Sequence, residues 1–110
     1  MAVASDNTRD PFYAYGDLDM LEVFREATRI AHFDHSDRPW LNLLGPSPAS
    51  IMGLPQAGRI VVGGPADFVV IRARTLNELL SRPWSDRLVV VNGKAIDRTL
   101  PDYSELDALA

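Results

Sequence analysis

The sequence has no cysteine among its 110 residues. This absence excludes a disulfide framework and any thiolate metal site. No apolar run approaches the ~20 residues that span a bilayer, and no charged region followed by a long apolar core marks a secretory signal at the N-terminus. We therefore expect a cytoplasmic protein with no membrane partner.

Positive charge is also scarce. The chain has 11 Lys and Arg residues against 15 Asp and Glu, a net charge of −4, and its basic residues are spread singly. Such a chain lacks the basic cluster that binds a phosphate backbone, so we expect no nucleic-acid partner. Its 46% hydrophobic content is typical of a globular protein. A complete α/β barrel needs about 250 residues, so these 110 residues are too few to form one.

The stretch with the strongest functional pattern is residues 5–13. A short apolar run at residues 2–4 leads into Asp6, and a polar, aromatic loop follows. In α/β enzymes, catalytic side chains lie at the carboxyl ends of strands, where ligands bind. We expect a strand here, clipped because only a few residues precede Asp6. Asp10 before Pro11 indicates a turn, which we favour over a role in orienting Asp6.

A strongly patterned helix follows this loop. Asp17 is the expected N-cap, and Asp19 and Glu22 place negative charge in the first turns. An apolar stripe at helical spacing predicts an amphipathic helix of about 16 residues, and its members are Met20, Phe24, Ala27 and Ala31.

Two short helices are expected next, at residues 40–44 and 47–54. In the second, Ser47 is the expected N-cap and Gly53 the left-handed C-terminal residue. Trp40 and Trp84 lie beside apolar neighbours, which favours packing over ligand stacking.

The period changes at Gly58. β-branched runs predict strands at residues 59–62 and 67–71, separated by a turn, and a short helix at 77–80. A third run at 87–91 ends in Asn92-Gly93, a strong hairpin signal. We therefore divide the chain into the end of an α/β unit (1–55), a small β domain (56–101) and a tail (102–110).

Three motifs together resemble the C-terminal portion of the amidohydrolase superfamily, and within it the cytosine deaminases. They are residues 6–13 (DNTRDPFY), 48–54 (PASIMGL) and 58–70 (GRIVVGGPADFVV), the last followed by 91–94 (VNGK). The resemblance implies an α/β fragment. It would comprise the last strand, loop and helix of a (β/α)8 metal-dependent hydrolase barrel, with the C-terminal strands of its small β domain.

The resemblance also implies roles for three residues. Asp6 matches the aspartate that closes the metal site and takes the proton of the attacking water. Asn7 stands where cytosine deaminases often carry a second acid, and Phe12 stands where an aromatic ring borders the substrate. Because Asn cannot ionise, this departure leaves another heterocycle or a ring amide open as the substrate.

The family's His-x-His motif and later barrel histidines have no counterpart in this chain. The family's divalent metal, zinc or iron, is therefore not expected on this chain alone, and we expect the chain to be inactive by itself. A small heterocyclic substrate would bind only in the complete enzyme. The alternative is a non-catalytic module that pairs with a separately encoded N-terminal half, or a homo-oligomer.

His32 and His35 match none of the family's histidines. Their i, i+3 spacing would allow them to share a metal on one helical face. The pattern favours exposed histidines that interact with the helix dipole.

Overall fold

The computed structural model describes residues 1–6, 9–12, 14–35, 38–99 and 102–109. Within these ranges, three helices and three strands form the regular structure: α1 (Met20–Ala31), α2 (Pro46–Ile51), β1 (Phe68–Ile71), α3 (Leu76–Ser81), β2 (Arg87–Val91) and β3 (Lys94–Ala95). Short 3-10 segments lie at Phe33–His35, Trp40–Leu43 and Tyr103–Leu109. Among the described residues, no helix is long and apolar enough to cross a membrane.

Helix α1 confirms the predicted amphipathic helix but begins later than expected. Its N-cap is Asp19 rather than Asp17, and the Asp19 carboxylate accepts a hydrogen bond from the Leu21 amide at 3.0 Å. Asp17 instead lies outside the helix, where its carboxylate accepts from the Leu18 amide. Phe24 and Thr28 form the buried face, and the Thr28 hydroxyl donates to the Phe24 carbonyl.

The segment around α2 is folded back on itself. The helix begins at Pro46 with Gly45 as N-cap, so the expected cap at Ser47 is wrong, since two prolines at 46 and 48 both suit the first turn. Gly53 has the expected left-handed conformation, with φ 71°. Helix α2 packs against the 3-10 segment Trp40–Leu43, where Leu43 and Ala49 are buried.

The β-sheet is antiparallel with strand order β1-β2-β3. Val90 in the central strand is buried and pairs with Phe68 on one side and Ala95 on the other. Asn92 and Gly93 both have positive φ, as the hairpin signal predicts. The Asn92 amide donates to the Asp67 carboxylate at 2.7 Å, which ties this turn to the start of β1.

The strand predicted at residues 59–62 does not form. Residues 59–62 are fully outside regular structure, and the Gly64 amide closes a turn onto the Val61 carbonyl. Residues 1–6 are likewise irregular. β-branched runs become strands only when a neighbour supplies the ladder and buries one face, and the described residues provide neither at these positions. That residues 1–6 belong to a barrel strand stays a prediction.

The chain is expanded for its size. Its radius of gyration is 16.1 Å, against about 13 Å for a compact domain of this length. Its accessible surface is 8774 Å², against about 6,000 Å² for a folded monomer of this mass. Large apolar side chains account for part of the excess, among them Ile51, Met52, Ile60, Val61 and Val62.

Among the described residues, one ion pair joins the two halves of the chain. The Arg87 guanidinium on β2 donates to both carboxylate oxygens of Asp19, at 2.8 and 2.5 Å, and both side chains are largely buried. Hydrogen bonding from Arg87 holds the pKa of Asp19 below its ordinary value and outweighs the opposite effect of burial. The same hydrogen bonds raise the pKa of Arg87.

We expect Gly58→Ala to destabilise the chain more than Gly53→Ala. Both glycines have left-handed φ, which costs an alanine about 1 kcal/mol. A Cβ on Gly58 would also lie 2.3 Å from the Gly45 carbonyl carbon, whereas nothing lies within 4 Å of one on Gly53. Urea unfolding should show a loss on the order of 3 kcal/mol for Gly58→Ala. Equal losses for the two variants would contradict the close approach.

We expect Asp19→Asn to lower the free energy of unfolding by about 2 kcal/mol near neutral pH, because Asn keeps the cap but removes the charge that Arg87 binds. The lowered pKa means that this stabilisation is present above about pH 4 and is lost as the pH falls further. The difference between wild type and variant should therefore shrink in acid. Asp17→Asn, at an exposed ion pair of 3.8 Å, is the control and should change stability by less than about 0.5 kcal/mol.

Candidate functional site

The N-terminal segment of the chain lies beside α1 and leads to Asp6. Val3, Ala4 and Ser5 line a shallow cleft together with residues of α1, and Asp6 follows immediately. The Asp6 side chain is exposed, and its backbone is left-handed, with φ 60°. Aspartate tolerates this region better than most residues because its short polar side chain bonds locally. The conformation turns the chain sharply at the predicted catalytic position.

Residues 10–12 form a tight turn that exposes an aromatic ring. The Asp10 carboxylate accepts a hydrogen bond from the Phe12 amide at 2.8 Å, as the turn interpretation predicts. Phe12 is 89% exposed, so in this structure its ring covers no core surface. Asn7 lies outside the described residues. Asp6 and Phe12 are thus both exposed.

Arg9 connects this loop to two other parts of the chain. Its guanidinium lies 3.8 Å from the Asp17 carboxylate and 5.9 Å from the centre of the Tyr103 ring. Arg9 also has positive φ, 53°. These contacts are exposed and contribute little stability individually, but they place the C-terminal 3-10 segment beside the loop.

Within the part of the chain that the structure describes, Asp6 does not have the partners that a catalytic metal requires. Among the described residues, the group of metal-ligating side chains close enough to share an ion consists of His32, Asp34 and His35, and it excludes Asp6. A single exposed carboxylate provides one ligand of a site that needs at least three. Among the described residues, Asp6 by itself therefore does not complete the metal site that the resemblance implies, and its role in proton transfer stays a prediction.

The histidine pair lies at the opposite end of α1. His32 is the C-cap in the left-handed conformation, and the His35 amide donates to the His32 carbonyl at 3.3 Å. The two rings meet edge to face, 5.5 Å apart, and His35 Nε2 lies 3.8 Å from the Asp34 carboxylate. All three side chains are exposed, as was predicted for the histidines. In the sequence, the position of Asp34 between the two histidines was the available sign of this group. The structure adds that the turn brings the Asp34 carboxylate close to both imidazoles.

A groove of about 830 Å³ lies between this corner and α3. Phe33 and Trp40 line it, stacked with their ring centres 4.4 Å apart, which supports the predicted packing role of Trp40. Trp84 lies at the end of α3, where its indole N–H donates to the carbonyls of Glu78 and Leu79. Both tryptophans thus make structural contacts.

Comparison with known proteins places this chain in a family. The sequence profile of the amidohydrolase family matches residues 1–97. A pterin deaminase from Rhizobium rhizogenes strain K84 is 64% identical over 108 residues, which cover 98% of this chain and 25% of that relative. The chain therefore spans about a quarter of the relative's length. No solved structure matches. With nearly its whole length matched by the family profile, the chain belongs to the amidohydrolase family.

Proposed function

We propose that this chain supplies the Asp6 loop to a metal-dependent hydrolase that removes an amino group from a flat heterocycle. The observation that carries the proposal is the exposed Asp6 carboxylate in a left-handed turn, directly before a loop that exposes Phe12. A non-glycine residue in this conformation is a form of backbone strain that clusters at functional sites. An exposed carboxylate and an exposed aromatic ring six residues apart in the sequence would suit proton transfer to a planar substrate if both reach the same ligand.

Asp6 would act by general acid–base catalysis. Its carboxylate would take a proton from the attacking water and deliver it to the leaving amine, so that a neutral ammonia molecule departs. Phe12 would provide an apolar wall for the ring, and Asn7 would donate and accept hydrogen bonds at its polar edge.

The catalytic metal, zinc or iron by the family resemblance, would need ligands from polypeptide beyond these 110 residues, because Asp6 alone does not make a site. We therefore propose that the chain is inactive alone and acts as part of a larger enzyme. Its large accessible surface and exposed apolar side chains support this proposal, since further polypeptide would bury them.

A pterin ring is the substrate that we favour. The relative that is 64% identical is a pterin deaminase, while the cytosine deaminase likeness was seen in short motifs alone. Asn7, in place of the acid that cytosine deaminases often carry, also favours a ring other than cytosine. Pterin and cytosine both carry an exocyclic amine on a flat ring, so the reaction class is the same.

A chimeric enzyme would test the proposed deaminase function. Residues of the Rhizobium rhizogenes pterin deaminase that match this chain would be replaced by the chain itself, and deamination of pterin and cytosine would be measured. The chimera should deaminate pterin at a higher kcat/KM than cytosine. Asp6→Asn in the chimera should lower kcat by about 10²–10⁴-fold, because a general acid–base group is lost.

The control is Asp17→Asn in the same chimera, which removes another exposed loop carboxylate. It should leave kcat within about twofold, since its ion pair with Arg9 is exposed. A folded chimera that is inactive on both rings would contradict the proposal, as would Asp6→Asn with full activity. A preference for cytosine would leave the role of Asp6 intact and overturn the substrate.

The second candidate function is an interaction module without catalysis. In the described part of the chain, β1 pairs with β2 alone and so has one unpaired edge, and Ile60 and Val62 nearby in sequence are exposed. Unpaired edges and exposed apolar residues are docking surfaces for another strand or a second copy of the chain.

If the chain self-associates, sedimentation equilibrium of the purified protein should show a dimer. Ile60→Ser with Val62→Ser should then weaken the association by about tenfold or more, because each buried aliphatic side chain contributes about 1.5–3 kcal/mol. Ile30→Ser, at an exposed position on α1, is the matched control. A monomer at all concentrations would rule out the homo-oligomer and leave pairing with a separate chain.

A further inference from the structure

We propose that His32, Asp34 and His35 form a zinc site at the C-terminal end of α1, separate from the Asp6 loop. One ligand atom from each of the three side chains lies within 4.8 Å of the other two. Nothing in the proposed deaminase chemistry uses these residues. The site would therefore be a second feature of this chain.

The backbone already gathers the three ligands. The left-handed C-cap at His32 ends the helix and turns the chain, and the hydrogen bond from the His35 amide closes that turn. The centres of the two imidazole rings are consequently 5.5 Å apart, and the Asp34 carboxylate lies 3.8 Å from His35 Nε2. No further chain segment has to move for the ligands to meet.

The remaining adjustment is a rotation of side chains. Ligands about 2.0–2.1 Å from a tetrahedral zinc ion lie about 3.3 Å from each other. The ligand atoms here are within 4.8 Å, so they must approach by about 1.5 Å at most. All three side chains are exposed and are therefore free to rotate about their χ angles.

The local charge favours a cation. The last carbonyls of α1 carry the negative end of the helix dipole, and Asp34 adds a full negative charge. Arg29, the basic residue in the last turn, donates to the Glu26 carboxylate at 2.9 Å, which offsets part of its repulsion.

Two imidazoles and a carboxylate select the class of metal. Magnesium and calcium prefer all-oxygen ligands, whereas imidazole suits zinc, copper and nickel. Zinc accepts three protein ligands with water in the fourth position. The proposal departs from the sequence interpretation, which favoured histidines that interact only with the helix dipole and expected no metal on this chain alone.

Bound zinc would hold the 3-10 segment Phe33–His35 against the end of α1. Phe33, between the ligands in sequence, stacks on Trp40 and lines the groove beside α3. The ion would thus stabilise one wall of that groove. A ligand that binds only the folded chain raises its melting temperature.

Calorimetric titration of the untagged, chelator-treated 110-residue protein with zinc chloride tests the site. We expect about one zinc per chain and a higher melting temperature with zinc. His32→Gln, His35→Gln and Asp34→Asn should each weaken zinc binding by about tenfold or more. Losing a metal ligand should reduce zinc affinity at least as much as losing a residue that hydrogen-bonds to a ligand. Glu105→Gln, at an exposed carboxylate of the C-terminal segment, and Asp6→Asn should not change it. Magnesium chloride should give no saturable binding.

Several results would overturn the site. One is no saturable zinc binding, and another is unchanged binding in the His32→Gln, His35→Gln double variant with native far-ultraviolet circular dichroism. Zinc lost in Asp6→Asn would assign the metal to the Asp6 loop. Asp34→Asn with full affinity would remove the carboxylate from the ligand set and refute the three-residue site.

Discussion

The ion pair between Asp19 and Arg87 links parts of the chain that are far apart in sequence. Asp19 caps α1 through its contact with the Leu21 amide and also accepts two hydrogen bonds from Arg87 on β2. The same carboxylate therefore caps the helix and connects its N-terminal end to β2. Of the Arg87 nitrogens, Nε is buried without a hydrogen-bond partner among the described residues, so the strength of this contact comes from the two bonds to Asp19. Charge-assisted, two-point contacts of this kind are among the stronger polar interactions in proteins.

Helix α1 carries one candidate site near each end. The Asp6 loop approaches its N-terminal side, and the group of His32, Asp34 and His35 lies at its C-terminal end. Asp6 is not a member of the group of His32, Asp34 and His35, so the two sites share no residue. The first is a carboxylate suited to proton transfer, and the second is a set of imidazole and carboxylate ligands suited to a metal ion. The large accessible surface between and around them is consistent with a chain that contacts further polypeptide when it functions.

Local signals predicted most of the regular elements. The apolar stripe identified α1, the Asn92-Gly93 pair identified the hairpin, and Gly53 identified the end of α2. Each of these depends on interactions within a few residues. The errors in helix caps arose where neighbouring residues compete for one role, as Asp17 and Asp19 do for the cap of α1. Asp19 differs from Asp17 because it also binds Arg87. Arg87 is 68 residues away in the sequence, so a pattern of neighbouring residues does not reveal this contact.

The sequence by itself determined the family resemblance, the absence of thiolate chemistry, and the choice of Asp6, Asn7 and Phe12 as the residues to test. The tertiary structure decided that residues 59–62 form no strand, because a β-branched run needs a paired neighbour. It also decided that Asp34 lies with the two histidines, since a left-handed turn at His32 brings these side chains together. Helix caps and tight turns depend on residues that are neighbours in the sequence. Ion pairs, strand pairing and groups of metal ligands depend on which segments meet in space.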